Sequence, residues 1–226
     1  MGRRRWLVQR SNGGNLLQDS FDMFYSPGKM LDVPCEILGK LDRYVQILEE
    51  WSPTLNLIGR RDGSDIWTRH IEDSLQLKAY VPKGTASFVD IGSGAGFPGI
   101  PLAIATGMFA HLIESDIRKA AFLEVVISDL NIPARVWNSR IEAVSIPPQP
   151  LCTARAVAPL KKLVDLCRPL MLPSSTALFP KGRRYLAEIT DVMPHPSMVI
   201  RSFPSTTDDE AAVIVVNFQR AAKCSS

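Results

Sequence analysis

The run Asp90-Ile-Gly92-Ser-Gly94-Ala-Gly96-Phe97-Pro98-Gly99 directly follows the short apolar stretch Ser87–Ile91. Glycines at this spacing permit positive backbone dihedrals and let a ligand approach the main chain without meeting a side chain. The helix expected next offers free N–H groups at its start. In an open α/β sheet the ligand crevice lies at the carboxyl end of such a strand. Two cofactors compete for the turn. Gly94-x-Gly96-x-x-Gly99 satisfies the dinucleotide fingerprint, with Glu114 near the distance of a ribose-binding acid. Read one step earlier, Asp90-x-Gly92-x-Gly94-x-Gly96 is the pattern of a methyl-donor site. Register favours the donor: the first glycine should follow the strand directly, and counted from Gly92 the dinucleotide spacing fails at Phe97. A carboxylate at Asp90 also suits the amino group of a cationic donor better than a pyrophosphate.

Other residues fall into place around that turn. Glu114, at the end of the next apolar stretch, can accept hydrogen bonds from vicinal ribose hydroxyls. Asn138-Ser-Arg-Ile141-Glu142 follows the third stretch, where an adenine ring would be enclosed and main-chain groups at Ile141 and Glu142 could read its edge. His70, Asp73 and Ser74 share one helical face. No nucleophile-elbow motif accompanies them, so they read as a hydrogen-bonding helix face or as the wall of an acceptor pocket. Arg118, Lys119, Lys181, Arg183 and Arg184, with Arg60 and Arg61, could supply phosphate contacts whose strength would depend on salt. Trp67 and Phe97 are the aromatics placed to stack on a base, or to fill the core and cover the donor.

The elements that position these residues alternate. Helical spacing predicts helices over 34–51, closed by Ser52-Pro53, and over 65–78. Strands are expected at 87–91, 111–114, 134–137, 151–154, 177–179, 198–200 and 212–216, with helices over 116–130 and 160–172 and after Lys181. Strands alternating with helices specify a doubly wound, mostly parallel α/β sheet of Rossmann-like type. The expected organisation is a flexible basic extension over 1–33, one domain over 34–220 and a tail over 221–226. Within the domain, 34–84 forms a helical cap and 85–220 the core.

Composition bounds the rest. The chain has 226 residues, 46% hydrophobic and 22% charged, with a net charge of +3 that permits a nucleic-acid partner without requiring one. Arg3, Arg4, Arg5 and Arg10 begin the chain, but no apolar run follows that would make a signal peptide or a membrane span. Cys35, Cys152, Cys167 and Cys224 form no Cys-x-x-Cys pair, which argues against a zinc site or a disulfide framework and suits a cytoplasmic protein. No metal and no membrane are expected, and the chain is expected to be monomeric.

The ordered motifs carry a resemblance. Asn56-Leu-Ile58, Arg69-His70-x-x-Asp73-Ser74-Leu75, the run from Asp90 to Leu102, Glu114-Ser115 with Arg118-Lys119, Ser139-Arg-Ile-Glu142, Arg155-Ala156, and Lys181-Gly182 with Glu188-Ile189 together resemble the glucose-inhibited division protein B family. The resemblance spans roughly residues 36–218, and its most specific part is Gly-Phe-Pro-Gly-Ile-Pro-Leu. It implies a class I methyltransferase that uses S-adenosyl-L-methionine to modify guanine N7 in 16S rRNA of the small ribosomal subunit. It also implies donor-side roles for Gly92, Phe97, Ile141, Glu142 and Arg155; Asp90, Gly94 and Glu114 join that set on physical grounds. The departures are Glu114 in place of an aspartate and Phe179-Pro180 ahead of Lys181. Guanine N7 carries an exposed lone pair, so no general base is needed, and positioning with electrostatics suffices. Two other readings stay open: methylation of another RNA or small molecule, and an inactive donor-binding factor in ribosome assembly.

Overall fold

The computed structural model describes residues 24–26, 29–31, 33–59, 65–192 and 197–219. Arg3, Arg4, Arg5, Arg10, Arg60, Arg61 and Cys224, most of the expected extension and the expected tail lie outside the described residues. Two short strands, β1 (Phe24–Ser26) and β2 (Lys29–Leu31), pair antiparallel ahead of the first helix.

Helix α1 (Cys35–Leu55) buries Leu38, Leu41, Tyr44, Ile47 and Leu48, the face expected from spacing. It does not stop at Ser52-Pro53. Pro53 falls in the last turn, where it forfeits only its own N–H, and Asn56 closes the helix with φ 48° and an N–H bond to Ser52 O. The second helical segment follows one path with three hydrogen-bond patterns. A π-helical stretch (Trp67–Glu72) leads to one α-turn, α2 (Asp73–Leu75), and then to a 3-10 stretch (Gln76–Tyr80). Wide π-turns inside helices are rare and concentrate at functional sites.

The core begins with β3 (Ser87–Ile91) and α3 (Gly99–Thr106), which is buried from Gly99 to Ala105 and closed by Gly107. β4 (Phe109–Glu114) leads to α4 (Ile117–Leu130), whose N-cap Asp116 accepts from the Arg118 and Lys119 N–H groups. β5 (Ala134–Asn138), a 3-10 turn (Ile141–Ala143), β6 (Gln149–Ala154), α5 (Leu160–Cys167), β7 (Met171–Lys181), α6 (Tyr185–Thr190), β8 (Met198–Pro204) and β9 (Ala212–Phe218) follow. The helix expected over 160–172 stops early. After α5 a 3-10 turn (Arg168–Leu170) carries Pro169, which has no N–H to donate, and Met171 already belongs to β7.

The strands join in one sheet of seven, in the order β5-β4-β3-β6-β7-β9-β8. β3 to β7 run parallel, and β9 lies antiparallel between β7 and β8. This is the expected doubly wound α/β sheet of Rossmann-like type. Pro180 is tolerated inside β7 because it lies beyond the last residue paired with β6, Leu178. One core packs α1, the 67–80 segment, α3 and α4 on one face of the sheet; the other packs α5 on the opposite face. The strand order reverses between β3 and β6, and the ends of those two strands carry the glycine turn and Arg155.

Candidate functional site

Strand β3 delivers the glycine turn to the carboxyl edge of the sheet. Gly92, with φ +63°, lies under Val157 of the β6–α5 connection: a Cβ there would stand 2.7 Å from Val157 Cγ2. Gly96, with φ +98°, is equally confined, since its Cβ would meet Ile100 Cγ1 at 2.7 Å and the Tyr44 hydroxyl at 2.9 Å. Tyr44 in turn donates to Ala95 O at 2.5 Å, so α1 holds the turn from below.

Asp90 does not face the open edge. It is completely buried and lies under the first turn of α3, where a Cβ on Gly99 would come within 2.8 Å of its Oδ2. Oδ1 accepts from Thr153 Oγ1 at 2.6 Å, while Oδ2 has no hydrogen-bond partner among the described residues. Burial raises its pKa from 3.8 to about 6, against the lowering pull of Thr153, Ser93 and Arg155. Glu114 is also turned inward. Its Oε2 accepts from Gly94 N–H at 2.8 Å and its Oε1 from Asp116 N–H at 2.7 Å, so the carboxylate ties β4 to the glycine turn and to the start of α4.

Arg155, from the end of β6, joins the core to the 67–80 segment. Its Nη1 donates to Arg69 O at 3.0 Å and to Asp73 Oδ2 at 3.1 Å, and its Nη2 lies 2.7 Å from His70 Nδ1. The guanidinium also stands 5.0 Å over the Phe97 ring, which stacks on His70 at 4.8 Å and leans on Tyr44. His70, Asp73, Phe97 and Arg155 therefore form one assembly. Ser74 is not part of its open side: it is fully buried and its hydroxyl donates back to His70 O. Trp67 packs half-buried against the core.

Two cavities meet at this edge. One, of about 210 Å³, is lined by Gly92, Ser115, Arg140, Ile141, Glu142 and Lys162, among others. The larger, of about 490 Å³, is lined by Asp73, Arg155, Lys181, Glu188, Ser205 and Asp208, among others. Val157 and Ala158 line both. Gly92, Ile141 and Glu142 thus border the smaller space and Arg155 and Asp73 the larger, whereas Asp90, Gly94, Phe97 and Glu114 line neither. Sequence reasoning named Glu188, on α6, only within the family motif, and missed Val157, Ala158 and Asp208. Their positions after a strand or at a loop are the one signal that could have marked those three, because small and acidic residues are common there.

The basic candidates divide. Arg118 and Arg183 are well exposed, paired among the described residues with Asp116 at 3.2 Å and Glu210 at 3.8 Å, and Arg184 is exposed as well. Lys119 is half-buried. Lys181 differs from the solvated amine expected of a phosphate contact. Its Nζ donates to Ala158 O at 2.7 Å and pairs with Glu188 Oε2 at 2.8 Å, with the side chain 9% exposed. The apolar walls of β7 and α5 draw the lysine stem inward and leave its charge to Glu188, whose pKa the ion pair lowers although burial opposes it. No group of three or more potential metal ligands occurs among the described residues, and no helix among them is long and apolar enough to cross a membrane.

Comparison with known proteins follows the same outline. The family model described as rRNA small subunit methyltransferase G matches residues 37–202. The chain is similar to "Ribosomal RNA small subunit methyltransferase G" of Rhodospirillum centenum, with 44% identity over 79% of this chain and 83% of that protein. The protein of the same description from Gluconobacter oxydans is 44% identical over 83% of this chain and 97% of its own length. Among solved structures, an O-methyltransferase from Bacillus cereus in complex with SAH superposes with a TM-score of 0.54 at 14% identity, covering 79% of this chain and 90% of that one. At that identity the likeness concerns the fold.

Proposed function

We propose, from the premise that the chain belongs to the rRNA small subunit methyltransferase G family, that it transfers a methyl group from S-adenosyl-L-methionine to N7 of a guanine in 16S rRNA of the small ribosomal subunit. The observation that carries the reading is the pair of cavities joined at Val157–Ala158, one beside the glycine turn and one against the 67–80 segment. A transferase needs two reactants in contact, and this geometry supplies two spaces with a common wall.

The residues present fit the donor. Gly92 leaves the main chain bare where a Cβ would fill the space, and Ile141 and Glu142 border the same cavity for the adenine end. S-adenosyl-L-methionine, when bound, supplies an electrophilic methyl on a positively charged sulfur. Asp90 acts on that charge through its field from beneath the turn, and Glu114 shapes the donor cavity by holding Gly94 and Asp116. His70 and Asp73 belong to the guanine side, where Arg155 fixes both. Ser74 supports that wall from inside the helical segment. No side chain has to remove a proton, since the N7 lone pair is free to react. The site's contribution is to orient the base, to exclude water and to place charge where the sulfonium loses it. RNA phosphates are met by Arg118, Arg183 and Arg184, with Lys119 beside them. The protein works as a cytoplasmic monomer without a metal.

The test is transfer of labelled methyl from S-adenosyl-L-methionine to unmethylated bacterial small subunits, with the product nucleoside identified. Labelled N7-methylguanosine, abolished by Gly92→Asp, is the expected result. Donor binding without transfer to subunits or to naked 16S rRNA would overturn the acceptor assignment.

A further inference from the structure

The larger cavity is built from parts distant in sequence, and one of its walls is the Ser205–Ala211 turn between β8 and β9. That turn is closed on itself by Ser205 N–H to Ala211 O and Ala211 N–H to Asp208 O, both at 3.0 Å, with Ser205 Oγ accepting Thr207 N–H and Asp208 Oδ1 accepting Glu210 N–H. Glu210 at its far end pairs with Arg183 at 3.8 Å, and its near end is tied to the helical segment through Gln76 and Asp73. Gln76 accepts the Thr206 N–H at 3.0 Å and the Thr206 hydroxyl at 3.4 Å through Oε1, while its Nε2 donates to Ser205 Oγ at 3.2 Å. The same amide nitrogen donates to Asp73 Oδ1 at 2.8 Å, the oxygen that also accepts from Thr207 Oγ1 at 3.2 Å. The other oxygen of Asp73 holds Arg155.

We propose that Gln76 is a positioning residue of the acceptor cavity: it fastens the Ser205–Thr207 turn to Asp73 and so to Arg155, making the outer wall, the helical segment and the β6–α5 connection one unit. The role rests on the reading of the larger cavity as the acceptor side. A carboxamide meets the requirement. It must donate toward a carboxylate at one end and accept a main-chain N–H at the other, which neither a carboxylate nor an ammonium can do. Gln76 touches no reactant. It acts through Asp73 and the turn, so it governs how well the acceptor is held and leaves the donor cavity, on the far side of Val157, alone.

Gln76→Glu tests this with almost no change of volume. The glutamate keeps an acceptor for Thr206 N–H but sets a second carboxylate against Asp73. Gln76→Ala, which removes both functions, is the companion. Amide exchange at Thr206 and Thr207 is read in both variants, together with S-adenosylhomocysteine affinity and KM for small subunits. The expected result is exchange at Thr206 faster by about 10-fold and KM raised by about 10-fold, with donor affinity within about twofold of the parent. Unchanged exchange in both variants overturns the proposal, and so does a parallel loss of donor affinity and KM. A role in packing alone is also excluded by the pair, since it would leave Gln76→Glu silent. The exchange arm requires no RNA. If the parent protein methylates no subunit, the functional reading fails while the latch is still judged.

Discussion

Gly92 on the glycine turn and Asp90 two residues earlier, in β3, make opposite demands. At Gly92 any side chain faces two penalties: a left-handed backbone, which costs about 1 kcal/mol for an alanine, and a contact of 2.7 Å with Val157 Cγ2. Gly92→Ala should therefore weaken S-adenosylhomocysteine binding by at least about 10-fold, measured by calorimetry, and Val157→Ala in the same chain should recover part of the loss by clearing the contact. At Asp90 the carboxyl is completely buried and its pKa stands at about 6 instead of 3.8. A raised pKa means that the native state holds the proton more tightly than the unfolded chain. The stabilising effect is complete below about pH 4 and disappears as pH rises through about 6, a change on the order of 3 kcal/mol. Asp90→Asn does not titrate. The melting temperature of the variant relative to the parent should rise between pH 4 and 7 and then level off; a difference independent of pH would show that the buried carboxyl does not titrate in this range. Lys181 gives a third residue-scale case. Lys181→Met should lower stability by about 2 kcal/mol in urea, because Ala158 O and Glu188 lose the same donor.

Among the elements, the 67–80 segment shows how far the sequence could be read. Helical periodicity located it, and the placing of His70 and Asp73 on one face follows from i, i+3 spacing. The wide π-turns and the later 3-10 stretch were not legible. The π-turns coincide with the residues that Arg155, 82 positions from Asp73 in the chain, binds: Arg69, His70 and Asp73. Periodicity reports which residues want burial, not which distant cation will bind their carbonyls and carboxylates. The same limit applies to Ser74, read as part of a hydrogen-bonding helix face or a pocket wall and found buried with its hydroxyl donating to His70 O, and to Glu114, expected to accept from ribose hydroxyls, whose oxygens each accept a main-chain N–H. Removing the cation–carboxylate contact with Asp73→Ala should cost about 2 kcal/mol by urea denaturation, since both partners are mostly buried. Arg155→Lys should fail to restore it, because an ammonium cannot serve Arg69 O, His70 and Asp73 at once.

For the molecule as a whole, the glycine turn and the strand alternation sufficed to specify the sheet, since both are local signals repeated along the chain. The larger cavity was only half visible: its walls come from residues 73, 155, 181, 188 and 208, which no local pattern links. Charge follows the same division. Arg183 and Arg184 are exposed beside the larger cavity, whereas Lys181 is committed inside it. Arg183→Ala with Arg184→Ala should reduce the slope of log affinity for small subunits against log salt by about 1.5, with little effect on folding. An unchanged slope would move the RNA path elsewhere on the surface.

The position of β9 has a consequence in time. Among the described strands β8 pairs only with β9, which is inserted between it and β7. During synthesis β8 leaves the ribosome before the one strand that can hold it. A nascent chain that has emerged as far as Pro204 already possesses the glycine turn, Arg155 and the 67–80 segment. The turn that Gln76 grips has no paired strand at either end until residues 212–218 have joined β7 and β8. The glycine-turn side of the protein can thus mature while translation continues, and the β8–β9 wall of the larger cavity is the last part to be assembled.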